Sequence, residues 1–341
     1  MKRHLLFLAA LLIVNLAASA QQKFSVYAVG FYNQENLFDT CHDEGKKDYE
    51  YLPNKGWNGM KYTNKLRNMS KALADMGTDV LPNVGCAFIG LSEVENHKVL
   101  DALVDQAPLK ARNMKYVHIE GPDRRGIDCA LLYNPSLFSV KNVKLLPYVQ
   151  ELAKDSAFFT RGFLTVRGEM AGDDVAVIVC HWPSRFSGPF YRESAARQVK
   201  VIKDSLLNVN QEMKIFVMGD MNDDPVNKSM HVYLQAKPEI SQVGAGDMYN
   251  PWYNVLSKEG KGTLFYSGNW NLFDQIVITP NLLNKDAKKK DYSSLKYWKS
   301  HIFRRDYLIQ QEGQYKGAPL RTTAGGRWLN GYSDHLPVVM Y

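Results

Sequence analysis

The sequence is poor in cysteine, and it contains no long hydrophobic run beyond its N-terminus. Four cysteines in 341 residues, at spacings that match no zinc motif, exclude a disulfide-stapled miniprotein and a cysteine-based zinc site. No later stretch has about 18 uninterrupted apolar residues, so no internal segment is predicted to span a membrane. A hydrophobic fraction of 45% and a charged fraction of 23% exclude a disordered or collagen-like chain.

Residues 1–20 have the pattern of a secretory signal peptide. Residues 2–4 are basic, residues 5–16 are apolar apart from one asparagine, and Ala18-Ser19-Ala20 is a small-residue cleavage site. We therefore predict an exported protein, periplasmic or extracellular, whose mature chain begins at Gln21. Loss of Lys2 and Arg3 lowers the net charge from +7 to +5. Because no cysteine lies near the cleavage site, no lipid anchor is expected.

Three of the four cysteines lie in apolar runs that predict strands. Cys86, Cys129 and Cys180 are each compatible with a buried free thiol or, since export permits oxidation, with a disulfide. The sequence leaves both alternatives open. Cys41 lies in a polar segment and is expected to be the most exposed cysteine.

The mature chain alternates apolar runs with amphipathic stretches and has no repeats or linker, which predicts one α/β or α+β domain over residues 21–341. Leucine and methionine spacing predicts a helix from Thr63 to a stop at Gly77, and alanine and valine spacing predicts a second over Ala195–Leu206. The main apolar runs predict strands over Phe24–Tyr32, Cys86–Leu91, Ala130–Tyr133, Phe163–Val166, Val175–Val179, Ile215–Met218, Gln275–Thr279 and Leu336–Tyr341.

Residues 281–330 interrupt this alternation with a long basic and aromatic segment. Lys285–Arg305 contains eight lysines and arginines and two aspartates, a local charge of +6, with tyrosine and tryptophan interleaved. Such a mixture suits a phosphodiester backbone with stackable bases. It is also typical of an exposed insertion that lysines keep soluble, since charge runs usually form solvated faces, and the sequence leaves both interpretations open.

Acidic, histidine and asparagine residues cluster where the predicted strands begin or end. Those that follow apolar runs are Asn33, Glu93, His181, Asp220 and Asn222, and those that precede them are Asp128, Asp274, Asp334 and His335. In an antiparallel pair the end of one strand lies beside the start of its neighbour, so these residues are expected to share one rim. Carboxylates gathered there would repel one another unless a cation joined them. Oxygen, histidine and asparagine ligands without a thiolate favour Mg²⁺, or Mn²⁺ or Ca²⁺, over zinc.

Five segments carry a resemblance to a known family. They are Phe31–Phe38 (FYNQENLF), Gly90–Val94 (GLSEV), Gly219–Asn222 (GDMN), Asn271–Asp274 (NLFD) and Ser333–Pro337 (SDHLP). In this order they resemble the motifs of the endonuclease/exonuclease/phosphatase superfamily, whose members are similar to deoxyribonuclease I. The resemblance implies a four-layer α/β sandwich, in which two mixed β-sheets lie face to face with helices outside.

The resemblance also implies roles for the rim residues around the ion and the attacking water. Glu93 is expected to bind the metal, with Asn33 and Asp334 near it, since each offers a hard oxygen. Asp220 and Asn222 are expected to position the attacking water and to hold a phosphate oxygen.

Two histidines complete the implied catalytic set. His335 resembles the catalytic histidine and Asp274 the carboxylate that orients it. His181 resembles a second histidine found in the deoxyribonuclease I and sphingomyelinase branches. Asp128 is expected to orient His181, because both are predicted on the same rim.

Four further residues are candidates for substrate binding. Arg185 and Arg161 are compatible with bidentate bonds to phosphate or, as the alternative, with surface ion pairs. Asn269 and Trp270 precede the fourth motif and are expected to line the substrate cleft.

Together these features predict a secreted, divalent-metal-dependent phosphodiesterase that hydrolyses DNA or RNA by in-line attack of water. Nucleic acid is the expected partner, because a basic chain favours polyanions, and a monomer is expected. Two alternatives stay open. One is a phosphatase or phospholipase-like hydrolase of phosphoinositide, sphingomyelin or small phosphoesters, and the other is a non-catalytic binding protein on the same fold.

Overall fold

The computed structural model describes residues 24–151, 158–286, 288 and 290–341, so the predicted signal peptide lies outside the described residues. The strands are β1 (Ala28–Leu37), β2 (Cys86–Val94), β3 (Lys115–His118), β4 (Asp128–Tyr133), β5 (Ser139–Leu146), β6 (Phe163–Met170), β7 (Asp173–His181), β8 (Lys214–Asp220), β9 (Ala236–Lys237), β10 (Met248–Tyr249), β11 (Leu264–Tyr266), β12 (Asn269–Asn271), β13 (Asp274–Ile278), β14 (Ser300–Ile302), β15 (Thr323–Ala324), β16 (Arg327–Trp328) and β17 (Val338–Met340). The α-helices are α1 (Gly59–Asp75), α2 (His97–Val104), α3 (Ala107–Ala111), α4 (Pro189–Val209) and α5 (Val255–Glu259).

Two mixed sheets form the centre of the molecule. The first has the strand order β14-β17-β1-β2-β4-β3 and the second β5-β6-β7-β8-β13-β10-β9. β1 runs parallel to β2, and β7 runs parallel to β8, whereas β17, β4, β6 and β13 run antiparallel to the strands beside them. The predicted four-layer sandwich is thereby confirmed.

Three hydrophobic clusters separate the four layers. The middle cluster joins the inner faces of the two sheets, with Phe31 and Phe88 from the first and Met218 from the second. A Cβ on Gly90 would lie 2.7 Å from the Met218 sulfur, so the absence of a side chain at Gly90 leaves room for Met218 of the facing sheet. Outer clusters bury one face of α1 against the first sheet and one face of α4 against the second.

The sequence located the long elements but misplaced several of their ends. α1 begins four residues before the predicted Thr63, because the Asn58 side chain accepts a hydrogen bond from the Lys61 amide and caps the helix there. β1 starts later than predicted, at Ala28, and continues to Leu37 through an irregular stretch of pairing. None of the helices in the described part of the chain is long and apolar enough to cross a membrane.

The structure decides between the alternatives for the cysteines. Cys86, Cys129 and Cys180 are buried and Cys41 is exposed, and all four are free. Burial raises the pKa of the Cys180 thiol to about 12, so this group is unreactive at neutral pH.

Candidate active site

The strand ends that carry polar residues meet at one rim of the sandwich. In the second sheet, Asp220 at the end of β8 pairs directly with Asp274 at the start of β13 and with His181 at the end of β7. Asn33 of β1 reaches across from the first sheet, and its amide nitrogen donates a hydrogen bond of 3.1 Å to Asp220 Oδ2. The two sheets therefore contribute jointly to one polar cluster, as the motif positions predicted.

His335 lies between two buried carboxylates. Its Nδ1 is 2.7 Å from Asp274 Oδ2, and its Nε2 is 3.7 Å from Asp220 Oδ2. Burial lowers the pKa of His335, but the charges of Asp274 and Asp220 outweigh it and hold this pKa well above the ordinary value. Burial raises the pKa of Asp220 to about 7, with His335 opposing that rise. A charged imidazole at neutral pH is therefore favoured at this position.

His181 shares the site but has the opposite electrostatic environment. Its Nε2 lies 3.7 Å from Asp220 Oδ2 and 3.8 Å from Glu93 Oε1. Burial, followed by the cations Arg161 and Arg125, lowers the pKa of His181 well below the ordinary histidine value. His181 is thus neutral at pH 7, and among the described residues its buried Nδ1 has no hydrogen-bond partner.

Glu93 stands at a left-handed backbone position, with φ 60°, at the end of β2. Its Oε2 accepts a hydrogen bond of 3.0 Å from the Asn36 amide, which fixes the carboxylate. Its Oε1 faces His181 at 3.8 Å, beyond hydrogen-bond distance, and the side chain is 14% exposed. Asn36 and Asn222 also have positive φ, so backbone strain collects at this rim, as it commonly does at functional sites.

Asp334 takes part in a charge network that the sequence did not reveal. The Arg321 guanidinium donates to Asp334 Oδ2 at 3.1 Å and to Glu35 Oε1 at 3.2 Å, and the Thr322 amide donates to Glu35 at 2.5 Å. The ammonium of Lys65, wholly buried, donates to Thr322 Oγ1 at 2.6 Å. Burial raises the pKa of Glu35 to about 7 and lowers that of Lys65 to about 8. No motif marks Arg321 or Lys65, since Glu35 lies 286 residues from Arg321 and Thr322 lies 257 residues from Lys65.

The residues present fit a hard divalent ion better than a soft one. The rim supplies carboxylate and amide oxygens together with imidazoles, and no cysteine sulfur. Glu93 Oε1 has no hydrogen-bond donor among the described residues, whereas the carboxylate of Asp334 is bonded to Arg321. Asp220, Asp274 and His335 also place ligand atoms within 4.8 Å of one another, but His335 Nδ1 is already bonded to Asp274. Glu93 is therefore the best candidate ligand.

The expected pairing of Asp128 with His181 is wrong. Asp128 Oδ2 lies 3.0 Å from His118 Nε2 on the adjacent strand β3, and Asp128 Oδ1 accepts a hydrogen bond of 3.0 Å from the Gly121 amide. Strand pairing places His118 opposite Ala130, close to the start of β4. His118 is therefore close enough to contact the Asp128 carboxylate. Asp128 braces the loop after β3 and does not contact His181.

Arg161 is buried, and each nitrogen of its guanidinium already donates a hydrogen bond within the protein. It donates to the backbone oxygens of His181 at 3.2 Å and Trp182 at 2.9 Å, and to Asp123 Oδ2 at 3.0 Å. These bonds tie the loop that carries Asp123 to the end of β7.

Arg185 is likewise engaged in internal contacts. Its guanidinium donates to Asp224 Oδ2 at 2.8 Å and to Asn271 Oδ1 at 3.2 Å, and it lies 4.5 Å from the centre of the Phe273 ring. The pairing with Asp224 matches the surface ion pair that the sequence left open as the alternative for Arg185. Arg185 does not line the cavity described below.

A cavity of about 250 Å³ opens over the two histidines. Its lining residues are Glu93, Arg125, Phe158, Phe159, Thr160, Arg161, His181, Pro183, Ser184, Ser187, Asp220, Asn222 and His335. Asn269 and Trp270 do not line it. They lie on β12, where Asn269 bonds to Ser267 and Trp270 packs against Phe265. Arg125 and Phe159, which sequence patterns did not indicate, stand at the cavity instead.

A larger cavity of about 550 Å³ lies at the other end of the sheets. Its lining includes Val29, Ile278 and Met340, which occupy the strand ends opposite the catalytic rim. Lys296 and Trp298 of the basic segment also line it. At about 3.3 Å per residue, the four residues from Asp274 to Ile278 separate the two ends by roughly 13 Å. The structure therefore does not bring this part of the basic segment to the catalytic rim.

Comparisons with known proteins agree with this fold. The solved structure of a Bacteroides thetaiotaomicron mannosyl-6-phosphatase is similar over 93% of this chain and 99% of its own, with a TM-score of 0.56 and 13% identity. Humanized D. rerio TDP2 is similar over 92% and 97%, with a TM-score of 0.53 and 12% identity. At these identities the likeness shows the fold alone. No curated protein sequence matches the chain.

The sequence profile described as the Endonuclease/Exonuclease/phosphatase family matches residues 28–341. That range includes all five motifs and every residue of the polar rim. Members of this family hydrolyse phosphoric esters and typically use divalent metals. The chain therefore belongs to the Endonuclease/Exonuclease/phosphatase family and is a phosphoric ester hydrolase.

Proposed function

We propose that the protein is an exported, Mg²⁺-dependent phosphodiesterase that hydrolyses nucleic acid or its fragments. The observation that carries this proposal is the pair of buried histidines with opposite pKa shifts on either side of Asp220. Such a pair flanks a reacting phosphate with one charged donor and one neutral base or acceptor. D. rerio TDP2, which has also been solved with a single strand DNA product, supports the choice of substrate only through its fold.

The chain's own residues define a mechanism. Asp220 and Asn222 hold the attacking water, since the Asp220 carboxylate is fixed by the Asn222 amide at 2.9 Å. His335, kept charged by Asp274, stabilises the negative charge that develops on phosphorus oxygens and donates a proton toward the leaving oxygen. A divalent ion, held by Glu93 with Asn33 nearby, would supply Lewis-acid stabilisation of the phosphate.

A second candidate function is hydrolysis of small phosphomonoesters. The compactness of the cavity, about 250 Å³, favours it, because a volume of this size accepts a nucleotide or sugar phosphate more readily than a duplex. The mannosyl-6-phosphatase among the structural neighbours has the same fold. The phosphodiesterase remains our leading proposal because the wall aromatics Phe158 and Phe159 suit a base.

One substrate panel tests these functions. Purified protein is incubated with Mg²⁺, Mn²⁺, Ca²⁺ or EDTA and with single-stranded DNA, RNA, plasmid DNA, mannose 6-phosphate, sphingomyelin or a phosphoinositide. We expect metal-dependent cleavage of DNA or RNA that is lost in His335→Ala. Activity confined to a sugar phosphate or lipid would replace the nuclease proposal but keep the site. No hydrolysis of any substrate with any ion would refute both.

A further inference from the structure

Arg125 differs from the other arginines near the site because its charge is not compensated. Its guanidinium makes no hydrogen bond or ion pair with any residue that the structure describes, and it lines the catalytic cavity. Arg161, Arg185 and Arg192 are all paired with aspartates. An exposed guanidinium beside a neutral histidine is free to bind an anion bidentately.

The loop that presents Arg125 is rigidly held. Asp123 Oδ1 accepts the Arg125 amide at 2.8 Å, and Asp123 Oδ2 accepts Arg161 Nη1 at 3.0 Å. Lys46 donates to the carbonyl oxygens of Gly121 and Asp123. Because Arg161 also bonds to the backbone at the end of β7, the position of Arg125 is fixed relative to that strand. The backbone at Arg125 is therefore held beside the cavity before any ligand binds.

Phe159 forms an apolar wall on the same cavity. Its side chain is 48% exposed, and the Arg124 guanidinium lies 5.2 Å from the centre of its ring. An exposed ring beside a phosphate-binding group is the arrangement that base stacking requires, and each stacked base contributes about 1–3 kcal/mol. Phe158, also at the cavity, packs against Tyr191 and supports the wall.

We propose that Arg125 and Phe159 form a nucleotide subsite, in which Arg125 binds a phosphate oxygen and Phe159 stacks on the attached base. This inference rests on the proposed phosphodiesterase function and adds the substrate class: a single-stranded nucleotide unit, not a phosphate on a sugar or lipid. The subsite shares its cavity with both histidines, because Arg125 and Phe159 line it together with His181 and His335.

The test compares two variants on two matched substrates. Arg125→Met and Phe159→Leu are assayed on a thymidine dinucleotide and on the same dinucleotide whose bases are replaced by abasic sugars. Arg125→Met should lower kcat/KM about tenfold to a hundredfold on both substrates, since it removes a charged hydrogen bond. Phe159→Leu should lower kcat/KM about fivefold or more on the thymidine substrate alone.

Matched controls separate these effects from general changes. Arg67→Met removes an exposed cation from α1, and Phe24→Leu changes a phenylalanine that is 54% exposed at the other end of the sheets. Both should stay within about twofold of wild type. Calorimetric titration gives a readout besides activity. Arg125→Met should weaken the binding of both thymidine 5′-monophosphate and inorganic phosphate, whereas Phe159→Leu should weaken only the binding of the nucleotide.

The outcomes distinguish this inference from the proposed function. Wild-type protein that cleaves no diester would refute the phosphodiesterase and the subsite with it. Wild-type cleavage with Phe159→Leu unchanged on the thymidine substrate would refute the nucleotide subsite alone. An equal loss on both substrates in Phe159→Leu would also refute it, because a stacking role requires the base.

Discussion

Replacing Asp274 by asparagine should separate the shape of the active site from its charge. The amide has nearly the same size as the carboxylate, so His335 stays in place, but the negative charge 2.7 Å from its Nδ1 is lost. Two charges about 4 Å apart interact by about 4 kcal/mol at the effective dielectric of protein sites. About 1.4 kcal/mol corresponds to a tenfold change in rate. If the whole interaction between Asp274 and His335 stabilises the transition state, its loss lowers the rate roughly a thousandfold. We expect kcat to fall by about 10²–10³ in Asp274→Asn, with a smaller change in KM.

The same variant makes a prediction for pH that does not depend on activity. In wild type, the pKa of His335 is raised, so the stability that the charged pair contributes is fully present below about pH 6.5 and is lost as pH rises through the raised pKa. In Asp274→Asn, the charge that most strongly raises the His335 pKa is absent, so burial lowers this pKa relative to wild type. The loss of unfolding free energy in the variant should therefore be larger at pH 5.5 than at pH 9.

The assays are NMR titration of the His335 ring protons in EDTA-treated protein, urea unfolding at the two pH values, and steady-state kinetics with metal. His335→Asn, which removes the titrating group, is the control for the NMR assignment. A His335 pKa in Asp274→Asn equal to that of wild type would refute the electrostatic reasoning. Wild-type kcat would refute the role of the pair in the transition state.

Three further predictions follow from neighbouring groups. Glu93→Gln should weaken Mn²⁺ binding, followed by electron paramagnetic resonance, at least tenfold, whereas the control Glu312→Gln, at an exposed position outside both acidic clusters, should not; equal affinities would exclude Glu93 as a ligand. Asp128→Asn should lower the free energy of unfolding by about 1–3 kcal/mol in urea but keep kcat within about threefold; a hundredfold loss of kcat would restore a catalytic role. Glu35→Gln should gain stability relative to wild type as pH rises from 4.5 to 7, because a carboxyl whose pKa is raised to about 7 loses its stabilising contribution over that interval; a constant difference in unfolding free energy would contradict the raised pKa.

The rim could be predicted from the sequence because strand ends are visible as a local pattern. Each polar residue comes directly after or before an apolar run, and the sheet brings the ends together whatever the register of individual side chains. Asp220, Asp274 and His181 meet through strand pairing alone. Asn33 and His335 then complete the cluster from the first sheet.

Side-chain partners could not be predicted in the same way, because they depend on contacts between distant segments. Asp128 was assigned to the wrong histidine, since nothing in its own run shows that His118 lies on the adjacent strand. Arg161 resembled a phosphate ligand by type, yet three backbone and carboxylate acceptors surround it after folding. The same folding leaves Arg125 uncompensated, although in the sequence it is one of two adjacent arginines in a short loop.

The opposite environments of the two histidines make the site asymmetric in proton transfer. The neighbouring carboxylates raise the pKa of His335, so its imidazole stays charged and can donate a proton. Burial and the cations Arg161 and Arg125 lower the pKa of His181, so its imidazole stays neutral and can accept a proton. Asp220 Oδ2 lies 3.7 Å from the Nε2 atom of each histidine. Because its pKa is raised to about 7, the Asp220 carboxyl can gain or lose a proton near neutral pH. Titratable groups whose environments push their pKa values apart divide acid and base work between them. The leaving oxygen is therefore expected on the His335 side.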